Sequence, residues 1–81
     1  MSPQQEIFNQ AIERFTAEQE EVRTAAAFAA GNIAVGNLHH FLPLIVKMVE
    51  NDQEKRLLSL HAIKEVRDVQ LAYLDVTNMY L

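Results

Sequence analysis

The sequence predicts an all-α fold in which two helical hairpins stack as an α-solenoid, and three observations predict it. Apolar residues recur at i, i+3 and i+4 along four successive stretches, each opened by a helix-start pattern. With no Trp and only 7% aromatic residues, the core has to come mainly from Leu, Ile, Val and Ala. The third observation is a repeat. Shifted by 33 residues, Phe8 falls on Phe41, Ala11 on Leu44, Ile12 on Ile45 and Phe15 on Met48. The match continues with Arg23 on Arg56, Ala27 on Leu60, Ala30 on Ile63 and Ile33 on Val66. A helical hairpin repeated at fixed offset marks an α-solenoid, whereas a four-helix bundle shares the periodicity without the repeat. Here the caps and short turns repeat along with the stripes.

Ser2-Pro3-Gln4-Gln5 reads as the first helix start, with Ser2 as N-cap, Pro3 at the first helical position and Gln5 reaching back as a capping box. Ile7, Phe8, Ala11, Ile12 and Phe15 form its apolar side. Thr16 can cap a second helix over 17–35, roughly 28 Å long, with Gln19 three residues on. Glu18, Glu20 and Glu21 suit the positive end of its dipole. Its stripe is expected through Val22, Ala26, Ala29 and Ile33, and the alanines and Gly31 between 25 and 34 let another helix come close.

Gly36-Asn37 is expected to end that helix, Gly36 taking the left-handed conformation and Asn37 capping the next. The third helix then covers 38–50, with Phe41, Leu42, Leu44, Ile45, Met48 and Val49 inward. Pro43 lies beyond the first turn, so the helix either starts later than Leu38 or bends. Asn51-Asp52-Gln53-Glu54 reads as a further capping box. It opens a fourth helix to at least Arg67 with the stripe Leu57, Leu60, Ile63 or Lys64, and Val66. Val69, Tyr73, Val76 and Tyr80 keep the rhythm, so the tail prolongs helix four or forms a fifth. The organisation expected is therefore a first hairpin over 2–36, a second over 37–69 and a helical extension over 70–81.

At 81 residues the chain is one small domain, and a domain of this size buries only about 60–65% of its unfolded surface. Solenoids need about three repeats to be stable. Two hairpins leave an apolar face bare at each end, which implies neighbouring repeats or self-association.

The net charge of −4, from seven basic and eleven acidic residues, argues against nucleic acid as the partner. The densest basic window, 47–67, also holds Glu50, Asp52, Glu54 and Glu65. The absence of cysteine excludes a disulfide framework, a thiolate metal site and a cysteine nucleophile. Residues 1–10 lack the basic start and apolar run of a secretory signal. The most apolar stretch, 25–38, is broken by Gly31, Asn32, Gly36 and Asn37 and is too short to span a bilayer. A soluble protein of the cytoplasm or nucleus is expected.

The run EEVRTAAAFAAGNI from Glu20 to Ile33 resembles the second helix of a HEAT repeat, with its acidic start, Val-Arg pair and small residues. More narrowly, that run continued through VGNL (Val35 to Leu38), FLP (Phe41 to Pro43) and LHAIKEV (Leu60 to Val66) is similar to a stretch of the Cand family, the cullin-associated and neddylation-dissociated proteins. The similarity runs from about Ile7 to Arg67 and stops before the tail. The resemblance implies two HEAT repeats of a long solenoid. It also implies a non-enzymatic role: binding unneddylated cullin–RING scaffolds and regulating the assembly of SCF-type ubiquitin ligases. It assigns no cullin-contact residue.

None of the motifs that could carry chemistry is complete. Gly31 and Gly36 have glycine-loop spacing, but Asn37-Leu38 stands where a phosphate loop needs Lys and Ser or Thr. His39 and His40 are adjacent and point about 100° apart on a helix, unlike an i, i+4 metal pair. His61 is expected at the edge of the apolar stripe. Glu18, Glu20 and Glu21 are explained by the helix dipole. Ser2, Ser59 and the threonines lack a His–Asp partner set. Lys55, Arg56, Lys64 and Arg67 cluster on helix four as a solvated face or a patch for an acidic partner. No catalytic, cofactor-binding or metal-binding residue is assigned, and the partner is expected to be a protein. A HEAT- or armadillo-type adaptor in transport or chromatin remains open, as does a helical bundle that self-associates.

Overall fold

A computed structural model describes residues Met1–Leu81. Four helices follow one another: α1 (Pro3–Glu13), α2 (Glu20–Gly36), α3 (Leu38–Asn51) and α4 (Arg56–Met79), with a 3₁₀ turn (Arg14–Thr16) prolonging α1. There is no strand, and no helix is long and apolar enough to cross a membrane. The fold is all-α, its helices packed in pairs as HEAT-type hairpins are. α2 is central: it packs against α1, α3 and α4.

The Ser2 side chain caps α1 as expected, its Oγ accepting from the Gln5 N–H at 3.2 Å. The reciprocal half of the capping box is not made. Gln5 instead donates its side-chain amide to Asn9 Oδ1 at 2.8 Å and turns its carbonyl oxygen to the His40 ring. The second helix starts later than its cap pattern suggests. Thr16 belongs to the 3₁₀ turn and returns its hydroxyl to the Glu13 carbonyl. That turn puts Phe15, 1% exposed, into the core, and the burial decides where the chain reverses. α2 therefore begins at Glu20, with Gln19 at the cap position and making no side-chain cap.

Gly36 does not take the left-handed conformation; no residue in the chain has positive φ. Gly36 closes α2 in helical backbone, and Asn37 alone turns the chain, at φ −158° and ψ 76°. Its carbonyl accepts from the His40 and Phe41 amides, while its side chain caps nothing. α3 starts at Leu38 and runs through Pro43, which has no N–H to offer the His39 carbonyl. The expected Asn51–Glu54 box is not formed, because α3 continues through Asn51. Asp52 holds the turn instead, accepting from the Lys55 amide at 3.1 Å. α4 then continues unbroken to Met79, so the tail prolongs the fourth helix.

The core joins Phe8, Ala11 and Phe15 to Ala26, Ala27, Ala30 and Ala34, then to Phe41, Ile45, Leu58, Ala62 and Val66. The Phe8 and Phe41 rings, one repeat apart, lie 4.7 Å from each other at 36°. The stripes of the two longer helices differ from expectation. α2 buries Ala26, Ala27, Ala30, Gly31 and Ala34, while Val22 is exposed. α4 buries Leu58, Ser59, Ala62 and Val66, while Leu57, Leu60 and Lys64 face solvent. The two sets are offset by 32 residues and not 33. The reason is positional: α2 is covered by the hairpin that follows it, α4 by the hairpin that precedes it, so each helix buries a different side.

Candidate protein-binding surface

The residues singled out for chemistry are dispersed. Gly31 is buried against α4, where a Cβ would come within 2.7 Å of the Ala62 carbonyl oxygen, so its backbone is closed to a phosphate. His39 and His40 are exposed. The His40 ring bonds the Gln5 side chain and stands edge-on to Phe41, with centroids 4.7 Å apart. His61 is exposed and not half-buried at the stripe's edge, because the stripe itself is rotated away from it. No group of three or more His, Asp or Glu side chains converges on one point. Glu20 and Glu21 occupy the first turn of α2, with Glu18 just before it. Ser2 is spent as a cap, and Ser59 is fully buried with no hydrogen-bond partner for its hydroxyl.

The basic cluster on α4 is largely committed within the chain. Lys55 pairs with Asp52 at 3.5 Å, and Lys64 and Arg67 both reach Asp68, at 3.8 and 3.1 Å. Arg56 donates from Nε to the Val49 carbonyl at 2.7 Å. Its repeat partner Arg23 does the same one hairpin earlier, giving Nη1 to the carbonyls of Ala17 at 2.7 Å and Glu18 at 2.9 Å. Each of these arginines thus ties the start of the second helix of its hairpin to the chain leading into it. The periodicity pairs them, but it does not reveal this role.

What the molecule offers a partner is surface. An open recess of about 410 Å³ runs between α1 and α2, lined by Ile7, Ala11, Val22, Ala25, Ala26 and Ala29 among others. Beside it Phe28 projects into solvent. On the far side of the stack, Leu57 and Leu60 lie bare on α4. Beyond Val66 no residue is buried, and Leu71, Tyr73, Leu74, Val76, Met79 and Tyr80 are exposed along the free end of α4. Sequence periodicity counts Leu57 and Leu60 as core. Only the position of the neighbouring hairpin shows them to be surface.

Comparison with known proteins gives consistent relatives. The chain is 49% identical over 55 residues to cullin-associated NEDD8-dissociated protein 1 of Arabidopsis thaliana, covering 68% of this chain and 4% of that protein. It is 44% identical over 55 residues to protein 1 of Drosophila melanogaster, with the same coverage. To protein 2 of Mus musculus it is 38% identical over 63 residues, covering 78% of this chain and 5% of the relative. The chain therefore spans about a twentieth of the length of these relatives. No protein-family model matches it, and no solved structure gives a significant match.

Proposed function

Because the chain carries a short segment homologous to the cullin-associated NEDD8-dissociated proteins, we propose that it is a non-enzymatic HEAT-type scaffold module. In this reading its partner is a cullin–RING ligase scaffold in the unneddylated state, met in the cytoplasm or nucleus, and its role is in the assembly of SCF-type ubiquitin ligases. The observation that carries the reading is the 49% identity over 55 residues to a protein named for cullin association. The all-helical stack supports it, since binding by a solenoid needs a rigid series of exposed helix faces and no convergent catalytic groups.

The mechanism is steric. A helical stack lying on the scaffold occupies surface that an adaptor or a covalent modifier otherwise uses, so binding of one excludes the other. Two hairpins supply a small share of such an interface. Stable complexes bury on the order of 1,200–2,000 Å², and a module of this size is expected to bind weakly on its own.

A titration of the full chain against a purified cullin–RING complex, neddylated and unneddylated in parallel, tests the proposal. Tighter binding to the unneddylated complex is the expected result. Equal binding to both forms would overturn the preference for the unneddylated state, and no binding from a sample shown to be helical would overturn the cullin reading and favour an adaptor with another partner.

A further inference from the structure

Three of the four phenylalanines are buried, and the fourth, Phe28, stands 59% exposed on α2. An open recess lies on either side of it. One, of about 380 Å³, sits at the joint of α2 with α4 and is lined by Thr24 and Phe28 together with His61, Lys64, Glu65 and Asp68. The other, of about 570 Å³, lies toward the start of α2 and is lined by Glu20, Glu21, Thr24 and Phe28 among others. The two recesses bring four carboxylates around one ring, against the single ammonium of Lys64. Asp68 is committed, to Lys64 at 3.8 Å and to Arg67 at 3.1 Å. Glu20, Glu21 and Glu65 enter no ion pair. The first two belong to the first turn of α2, where the helix dipole accounts for them. Glu65 has no such reason. It lies within α4, half-buried, with its stem against Gly31, where a Cβ would come within 2.7 Å of the Glu65 Cβ and 3.0 Å of its Cγ. The missing side chain at Gly31 thus seats a carboxylate that has no cation, in the recess that Phe28 lines.

We propose that this surface docks a basic segment of a partner protein through an arginine, whose guanidinium stacks on the Phe28 ring and bonds the Glu65 carboxylate. A guanidinium is planar, so it lies flat on an aromatic face while its N–H groups pair with a carboxylate at its edge. Lysine supplies the charge without the plane. Charge selects this occupant and apolar area does not: an apolar or acidic segment would cover Glu65 and leave its carboxylate unpaired, at a desolvation cost. On the other side of the ring, Glu20 and Glu21 draw the neighbouring basic residues of the segment, and Thr24, which lines both recesses, lies on the path between them. Alternate side chains of an extended segment share a face roughly 6.5–7 Å apart, so two arginines separated by one residue reach both recesses. The inference uses only this surface and stands apart from the cullin reading, which its failure leaves untouched.

The capped peptide acetyl-Gly-Arg-Ala-Arg-Gly-amide, titrated to millimolar concentration into the full isotope-labelled chain and followed by amide chemical shifts, tests it. Saturable shifts at Thr24, Phe28 and Glu65 are expected, and the affinity falls with added salt. The same peptide with Lys in place of both Arg is expected to bind severalfold more weakly. Phe28→Ala and Glu65→Gln are each expected to weaken the arginine peptide severalfold with unchanged far-UV circular dichroism, and Phe28→Ala also brings the two peptides level. Phe28→Leu, which keeps an apolar side chain and removes the aromatic face, replaces a Phe28→Ala chain that loses helicity. The absence of any shift overturns the inference. So does equal binding of the two peptides to the unaltered chain, or an affinity that is unchanged in either variant. Shifts centred on Glu13, Glu18, Glu50 and Glu54 overturn it as well, since they would report a diffuse response to charge away from Phe28.

Discussion

Gly31 of α2 and Glu65 of α4 meet where no side chain fits between them: a Cβ placed on Gly31 would lie 2.7 Å from the Glu65 Cβ and 2.7 Å from the Ala62 carbonyl oxygen. One of these neighbours is backbone, so relief requires α4 itself to move. Around this point the facing residues Ala27, Ala30 and Ala62 are nearly or fully buried. The close approach of α2 and α4 is therefore built from small residues, with Gly31 at its tightest point.

Gly31→Ala sets two effects against each other. Alanine favours the helix by about 1 kcal/mol over glycine, while overpacking a well-filled contact costs about 1–3 kcal/mol. The contact is with backbone, so overpacking wins and Gly31→Ala is expected to lower the urea midpoint. Gly36→Ala is the internal control. Nothing lies within 4 Å of a Cβ there, and the backbone is helical with φ not positive. That variant gains about 0.5–1 kcal/mol. A midpoint that rises in both variants would sink the claim that Gly31 is a point of closest approach.

Phe8 and Phe41 occupy the same place in successive hairpins and touch across the joint between them. Each is 2% exposed. Phe8→Ala or Phe41→Ala removes a buried ring at a cost of about 3–5 kcal/mol, which can exhaust the stability of a domain this small. Leucine at either position is the measurable choice. A cycle of Phe8→Leu, Phe41→Leu and the double variant, followed by chemical denaturation, is expected to show coupling of about 0.5–1.5 kcal/mol. Additive losses would mean that the rings contribute only by burial.

Local signals in the sequence read through to the structure, and signals that depend on a neighbour do not. Ser2 and Pro3 start α1, and Phe8 and Phe41 repeat as core, because capping chemistry and a one-sided apolar stripe are properties of the segment itself. Thr16 fails as a cap because burial of Phe15 draws Arg14–Thr16 into a 3₁₀ turn, a tertiary effect. Leu57 and Leu60 are as apolar as Leu58, and no helical periodicity can say which of them finds a cover. That depends on which side of α4 packs against α2. The candidate surface is legible only after the stack is known, since it consists of apolar residues that periodicity assigns to the core.

Ser59 stands fully buried on α4 with a hydroxyl that has no partner. A buried, unpaired hydroxyl costs roughly 1–3 kcal/mol on the scale of protein substitutions. Ser59→Ala removes that polar group with almost no change in volume, and alanine is the better helix former. The variant is expected to raise the urea midpoint, by about 0.5–2 kcal/mol in stability. A loss of stability instead would show that the hydroxyl is satisfied in solution, for example by the Lys55 carbonyl one turn back, which already accepts from the Ser59 amide at 2.9 Å.

The free end of α4 is helical without being part of the core. From Leu71 onward every residue but Thr77 is exposed, so the helix there rests on propagation from the packed turns around Leu58 to Val66 and on little tertiary contact. Such a segment opens locally at low cost. Backbone amides over 71–79 are expected to exchange with solvent orders of magnitude faster than those of Ala30, Ala34 or Ile45 in the core. Truncation after Gln70 should lower helicity while leaving the stability of the remainder within about 0.5 kcal/mol, as for surface changes generally. Strong amide protection over 71–79 in the full chain, lost on dilution, would instead show the exposed apolar side chains of this end covered by another copy.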